Sequence, residues 1–347
     1  MPALDVDTVI IGGGLLGWSA AYPLVKAGQR VALVDRTDEG HATQAGAGII
    51  APGMNLRDPE ADYPLLVAAI DYYPRLVELL TSDGEQDTGY ETAGALFVAR
   101  DDEEAATLPE LAQTMARQRD AGLGNIGELT LLDAAGARSA FPALGELCGA
   151  IYAAAAARVN GRILRDALRS VAQRNGAHLL IDDAQLISVA ESMVEVRAGS
   201  TTIQAANMVI AAGAWSVGLG RPLGFELPIF PQRGQMIHLD MPDAYPGACP
   251  IMVGYSSHYL LTFRPNRVVA GATRESELDD RREGVLWDRL HLSGGKGGAR
   301  GFSAKFFAAG AANREALRLD RICLHDREFA RLDSRNRKLY DLEEVWA

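Results

Sequence analysis

Three glycines and one acid, at Gly12, Gly14, Gly17 and Asp35, carry the clearest chemistry in the chain. The spacing G-x-G-x-x-G behind an apolar run suits a backbone turn that meets a pyrophosphate. Gly12 allows the tight turn, Gly14 presents no Cβ to the phosphates, and Gly17 lets the next helix pack closely. Asp35 stands eighteen residues after Gly17, where a carboxylate accepts hydrogen bonds from ribose 2′- and 3′-hydroxyls. An acid there disfavours a 2′-phosphate, and with it NADP, but leaves NAD and FAD both open. Gly46, Ala47 and Gly48 lead into Ile49 and form a second small-residue stretch, suited to close approach by a large flat ligand. Ala212, Gly213, Ala214 and Trp215 follow a wholly apolar run, where a strand end can present backbone to a ligand.

These residues need a strand–turn–helix–strand frame, and Val6 to Asp35 supplies it. Val9, Ile10 and Ile11 read as a strand, Leu15 to Ala27 as a helix whose N-terminal N–H groups face the phosphates, and Arg30 to Val34 as the second strand. Gly28 suits the helix stop. Further on, Asp62 to Leu80 has helical spacing, with Pro74 expected to kink or divide it. Thr88 to Ala99 reads as a strand turning at Gly94, and Asp101 to Ala121 as a largely exposed helix. A helix runs from Asn160, its cap, to Gly176, its stop, with Ile163, Leu164, Ala167, Leu168 and Val171 on one apolar face. Short β runs follow: His178 to Ile181, Leu186 to Ala190, Met193 to Arg197, Thr201 to Ala205, and a separate buried strand, Met208 to Ala212. Tyr259 to Phe263 and Val268 to Ala270 read as a hairpin.

The 347 residues suffice for about two domains, and 48% hydrophobic with 23% charged residues is ordinary for a globular chain. A net charge of −11 argues against general nucleic-acid or anionic-membrane partners. The charge is uneven, with 14 Lys and Arg against 10 Asp and Glu from Arg281 onward, and 20 against 35 before it. Cys148, Cys249 and Cys323 are dispersed and match no zinc spacing, so no metal site is expected and a reduced, cytoplasmic setting fits. No basic leader precedes the first strand, and no apolar run reaches the length of a membrane span.

Taken together, VIIGGGLLGWSAAYPLVKAGQRVALVD, QAGAGIIAPG, RVNGRILRDAL, MVIAAGAWS, PQRGQMIHLD, YLLTFRP and RVVAGATRE resemble the FAD-dependent D-amino acid oxidase family, most closely its glycine oxidase and D-amino acid dehydrogenase branch. The likeness covers about residues 6–275 and favours FAD over NAD. It implies an α/β fold: a Rossmann-like FAD-binding domain from residues 1–85 and 147–222, and an α+β substrate domain on a mainly antiparallel sheet from 86–146 and 223–280. It implies cofactor contacts from Gly12, Gly14, Leu15, Leu16 and Gly17, from Asp35 and Arg36, from Gly46, Ala47, Gly48 and Ile49, and from Ala212, Gly213, Ala214 and Trp215. The substrate tyrosine it implies falls on Tyr259. The implied reaction is hydride transfer from the α-carbon of a D-amino acid, glycine or N-methyl amino acid to flavin N5, with oxygen or a quinone as the final acceptor. A homo-oligomer is compatible with this picture. Arg233, Arg264, His238 and His258 read as ordinary strand residues.

Beyond Glu275 the likeness stops. The family's G-L-R-P segment, whose arginine holds the substrate carboxylate, and its terminal glycine-rich stretch have no counterpart in residues 281–347. A divergent tail and a shifted reading frame both fit, and a loosely packed tail with a helix near Ala311 to Leu319 is expected. A flavin-binding chain with impaired catalysis is therefore one alternative. An NAD-dependent dehydrogenase, supported by the first motif alone, is another.

Overall fold

The computed structural model describes residues 3–37, 42–51, 63–122, 126–142, 144–190, 192–224, 227, 229, 236–240, 249–255, 258–265, 267–271, 322–324 and 329–330. In chain order the elements are β1 (Ala3–Ile11), α1 (Leu15–Lys26), β2 (Val31–Asp35), α2 (Ala42–Ala45), β3 (Ile49–Ile50) and α3 (Tyr63–Ser82). There follow β4 (Tyr90–Thr92), β5 (Ala95–Ala99), α4 (Asp102–Asp120), β6 (Leu129–Leu132), α5 (Ala134–Ala140), β7 (Gly149–Ala153), β8 (Ala157–Val159) and α6 (Gly161–Arg174). Next come β9 (His178–Ile181), β10 (Ala184–Ala190), β11 (Met193–Ala198), β12 (Thr201–Ile210), α7 (Ser216–Gly220) and β13 (Met236–Asp240). The last are β14 (Ile251–Gly254), β15 (Tyr259–Phe263), β16 (Arg267–Gly271), β17 (Ile322–Leu324) and β18 (Phe329–Ala330).

A six-stranded sheet runs β10-β11-β12-β1-β2-β9. Its parallel part, β12-β1-β2-β9, carries apolar side chains on both faces, as covered parallel strands do. On one face Ile10 and Leu33 pack with Trp18 and Tyr22 of α1 and with Leu164, Leu168 and Val171 of α6. On the other, Val9, Ile11 and Val34 join Val196 and Ile203 of the antiparallel meander. Helix α6 begins as expected, with the Asn160 side chain accepting from the Arg162 N–H at 3.2 Å. Gly28 and Gly176 both take positive φ beyond their helices.

A nine-stranded sheet runs β18-β17-β13-β16-β15-β14-β5-β7-β6, antiparallel except for β14 against β5. Helix α4 lays Leu108 and Met115 onto Phe97 and Ile151 of this sheet. A small sheet, β3-β8-β4, contributes Ile50, Ala157 and Val159 to the first core, while Ile49 packs against the second.

Three expectations are corrected. Pro74 does not divide α3, which runs unbroken from Tyr63 to Ser82 with Val67 and Ile70 buried before the proline and Leu76 and Leu80 buried after it. Thr201 to Ala205 and Met208 to Ala212 are not separate strands. They merge into β12, which ends at Ile210, because β1 supplies ladder partners from Thr202 to Ala205 and again from Asn207, opposite Thr8, to Ile210. Met208 to Ile210 are half-buried rather than fully buried. Finally, part of the tail is ordered into strands, with Ile322–Leu324 pairing with β13 and Phe329–Ala330 with β17. Arg233 and Ala311 to Leu319 lie outside the described residues.

Candidate functional site

The glycine turn after β1 is built by contacts on both sides. Gly12 has φ +110°, and a Cβ there would lie 2.2 Å from the carbonyl oxygen of Ala211. The end of β12 thus requires glycine as strictly as the turn does. A Cβ on Gly17 would lie 1.8 Å from the Gly12 carbonyl oxygen and 3.6 Å from Ile10 Cγ2. The close approach that Gly17 permits is therefore to the turn itself. A Cβ on Gly14 would meet only Thr43 Oγ1, at 3.2 Å, so this position is otherwise open.

Helix α1 has no side-chain cap from Gly14, but Leu15 N–H donates to Thr43 Oγ1 at 2.8 Å. Thr43 escaped the sequence reading, which had no signal for a helix cap supplied by the later short helix α2. The Asp35 carboxylate accepts from Gly13 N–H at 2.5 Å and from Thr37 N–H at 2.7 Å. These bonds fix its orientation, and each oxygen keeps a further lone pair for a hydroxyl.

A cavity of about 470 Å³ opens over this turn. Its wall brings together Gly12, Gly14, Leu15, Leu16, Asp35, Arg36 and all four residues from Ala212 to Trp215. It also includes Thr43, Asp182, Asp183 and Leu219, which the sequence reading missed. The Arg36 guanidinium lies 5.5 Å from the centre of the Trp215 ring and 3.8 Å from Asp183. Gly17 sits behind the turn rather than in this wall. Gly46 and Ala47 instead line a narrow neighbouring space with Asn160, Arg162, His238 and Arg267. Gly48, at φ +78°, is required by packing, since a Cβ there would fall 1.8 Å from the Val159 carbonyl oxygen. Ile49 pairs with Arg158 in the small sheet.

Tyr259 stands at the start of β15. Its hydroxyl donates to Met236 Sδ at 3.0 Å, and its ring covers Gly271, where a Cβ would come within 2.5 Å of the hydroxyl. Burial pushes the phenol up to about 12, so it stays protonated at neutral pH. Arg264 is 71% exposed, 3.5 Å from Glu91. Among the described residues no group of His, Cys, Asp or Glu could hold a metal ion, and no helix is long and apolar enough to cross a membrane.

Glycines without side chains in the way, a helix N-terminus that its own cap residue leaves uncapped and a pinned carboxylate fit a dinucleotide with pyrophosphate and ribose. A model of the FAD-dependent oxidoreductase family matches residues 7–292. The chain belongs to this family. FAD is thus its cofactor, the NAD alternative falls, and the likeness extends past Glu275. An uncharacterised oxidoreductase of Bacillus subtilis is 36% identical over 79% of this chain and 73% of its own length. A glycine oxidase of Pseudomonas aeruginosa is 30% identical over 77% of this chain and 71% of its own. The crystal structure of iminodiacetate oxidase from a Chelativorans species superposes with a TM-score of 0.72 at 36% identity, covering 79% of this chain and 74% of that one. The chain therefore has the FAD-dependent oxidase fold, a Rossmann-like α/β unit with a second sheet-based unit.

Proposed function

We propose that this FAD-dependent oxidoreductase oxidises the Cα–N bond of a small amino acid: glycine, a D-amino acid or an N-substituted relative such as iminodiacetate. The observation that carries the reading is the extent of the family match, which includes both the Gly12–Asp35 turn and Tyr259. FAD, when bound, supplies an acceptor for the hydride leaving the substrate α-carbon. The chain's own residues hold and orient. The Gly12–Leu15 backbone faces the pyrophosphate and Asp35 the ribose. Gly46 to Ile49 and Ala212 to Trp215 support the rest of the cofactor. The protonated Tyr259 hydroxyl is a donor for the substrate once its one hydrogen turns away from Met236 Sδ. The product imine hydrolyses to a 2-oxo acid, and oxygen or a quinone takes the electrons. A division into a discontinuous cofactor domain and a substrate domain, a cytoplasmic location and a homo-oligomer belong to the same proposal.

One observation favours a second reading, a chain with weakened catalysis: no G-L-R-P segment occurs after Glu275. The purified, FAD-loaded chain should be assayed with iminodiacetate, glycine, sarcosine and D-amino acids, using oxygen and an artificial acceptor. Turnover of ~1–1000 per second supports the first reading. Flavin that no amine bleaches, even anaerobically, supports the second.

A further inference from the structure

Arg158 lies at the centre of the small sheet, with Ile49 opposite it on one side and Glu91 on the other. Its neighbour Val159 donates its N–H to the Gly48 carbonyl at 2.8 Å. The backbone around Arg158 therefore holds the segment proposed to support the cofactor. Its side chain, 1% exposed, leaves this sheet and enters the nine-stranded one. There one guanidinium nitrogen donates to the Cys249 carbonyl at 2.9 Å and to Thr262 Oγ1 at 3.0 Å. The other donates to Glu91 Oε2 at 2.7 Å. Thr262 Oγ1 also accepts from Cys249 N–H at 2.8 Å, which ties the approach to β14 onto β15. Thr262 is three residues along β15 from Tyr259.

As a stabilising device this arrangement is poor. A charged group has been taken out of water, and its buried Nε has no protein partner. An apolar side chain of similar volume is often as stable in such a place. What the planar fork provides is geometry, because it fixes two acceptors from one strand-and-loop pair in one plane.

We propose that Arg158 is a positioning residue for amine oxidation: through Thr262 it sets the strand carrying Tyr259 at a fixed distance from the Gly48–Ile49 segment against which the cofactor lies. This rests on the reading that Tyr259 faces the substrate. A strand rises ~3.3 Å per residue and moves as a unit, so freedom at Thr262 reaches Tyr259. A shift of ~1 Å at a reacting centre costs about a hundredfold in rate.

The test compares Arg158→Met, Arg158→Lys and Thr262→Val in the full-length, FAD-loaded protein. Arg158→Met should keep its FAD content and lower kcat by about a hundredfold, with KM changed far less. Arg158→Lys, which keeps the charge without the fork, should recover part of the loss. Thr262→Val, which removes the hydroxyl shared by Arg158 and the Cys249 N–H and leaves the guanidinium in place, should lower kcat about tenfold, and it carries the test if Arg158→Met fails to fold. Amide hydrogen exchange in Arg158→Met should rise at residues 48–50 and 259–263 together, and stay unchanged in β1 and β2. Unchanged kcat in a folded Arg158→Met, or faster exchange confined to β8, overturns the proposal. Absence of turnover in the unmodified protein counts against the proposed function, and the exchange experiment still decides the role of Arg158.

Discussion

The carbonyl oxygen of Gly12 stands 1.8 Å from the point where a β-carbon on Gly17 would sit. The turn and the first turn of α1 thus rest on each other through bare backbone. Gly17→Ala should destabilise the fold by ~1–3 kcal/mol or more, read as a lower denaturant midpoint. Gly14→Val should behave differently, because its Cβ has only Thr43 Oγ1 near it, at 3.2 Å. It should fold and lose FAD. A Gly14→Val protein with full flavin content would contradict the pyrophosphate assignment.

Asp35→Ala removes the acceptor of the Gly13 and Thr37 N–H groups together with the proposed ribose ligand. FAD affinity should fall about 10–100-fold, or ~1.4–2.8 kcal/mol. Fluorescence titration of the apoprotein measures this, and an unchanged affinity would remove Asp35 from the cofactor site.

The Tyr259 phenol is raised from 10.0 to about 12 by burial. A raised folded value means that the folded state holds the proton more tightly. Its contribution to stability is complete below pH 10.0 and is lost as pH rises through about 12. Denaturant midpoints across this range should fall less steeply in Tyr259→Phe than in the unmodified protein. Equal slopes would show that the phenol is not desolvated.

Asp83 joins α1 to the end of α3. It pairs with Lys26 Nζ at 2.6 Å and accepts from the Tyr22 hydroxyl at 2.7 Å. The bond from Lys26, then that from Tyr22, holds its carboxyl below the usual 3.8. Its contribution is present above pH 3.8 and fades as the pH falls through the lowered value. Lys26 is partly solvated, so Asp83→Asn should cost no more than ~1 kcal/mol at neutral pH. The two proteins should converge in strong acid; a constant difference between them would point to packing instead.

What was readable in the sequence was local. Ala3 to Asp35 forms one continuous βαβ unit, and Asn160 and Gly176 bracket their helix by short-range hydrogen bonding and φ preference. What was not readable depends on distant partners. Gly48 is glycine because of the Val159 carbonyl, although its neighbours suggested a ligand. Ala206 and Asn207 look like a break, but β1 carries the ladder past them. Arg158 sits beside ordinary alanines, and its partners Cys249 and Thr262 are 91 and 104 residues away.

The pairing of β1 with β12 also fixes an order of events during synthesis. Ala3 can find Thr202, and Ile11 can find Ile210, only after the intervening chain has been made. At ~5–20 residues per second that wait is about 10–40 s. Until then Gly12 lacks the Ala211 carbonyl against which it is packed, and one edge of β1 stays open. β2 can close the other edge early, because its partner is nearby in the chain. Cofactor capture is thus a late step, and the first strand made is among the last to be protected. A ribosome-bound chain stopped before β12 should take up no FAD.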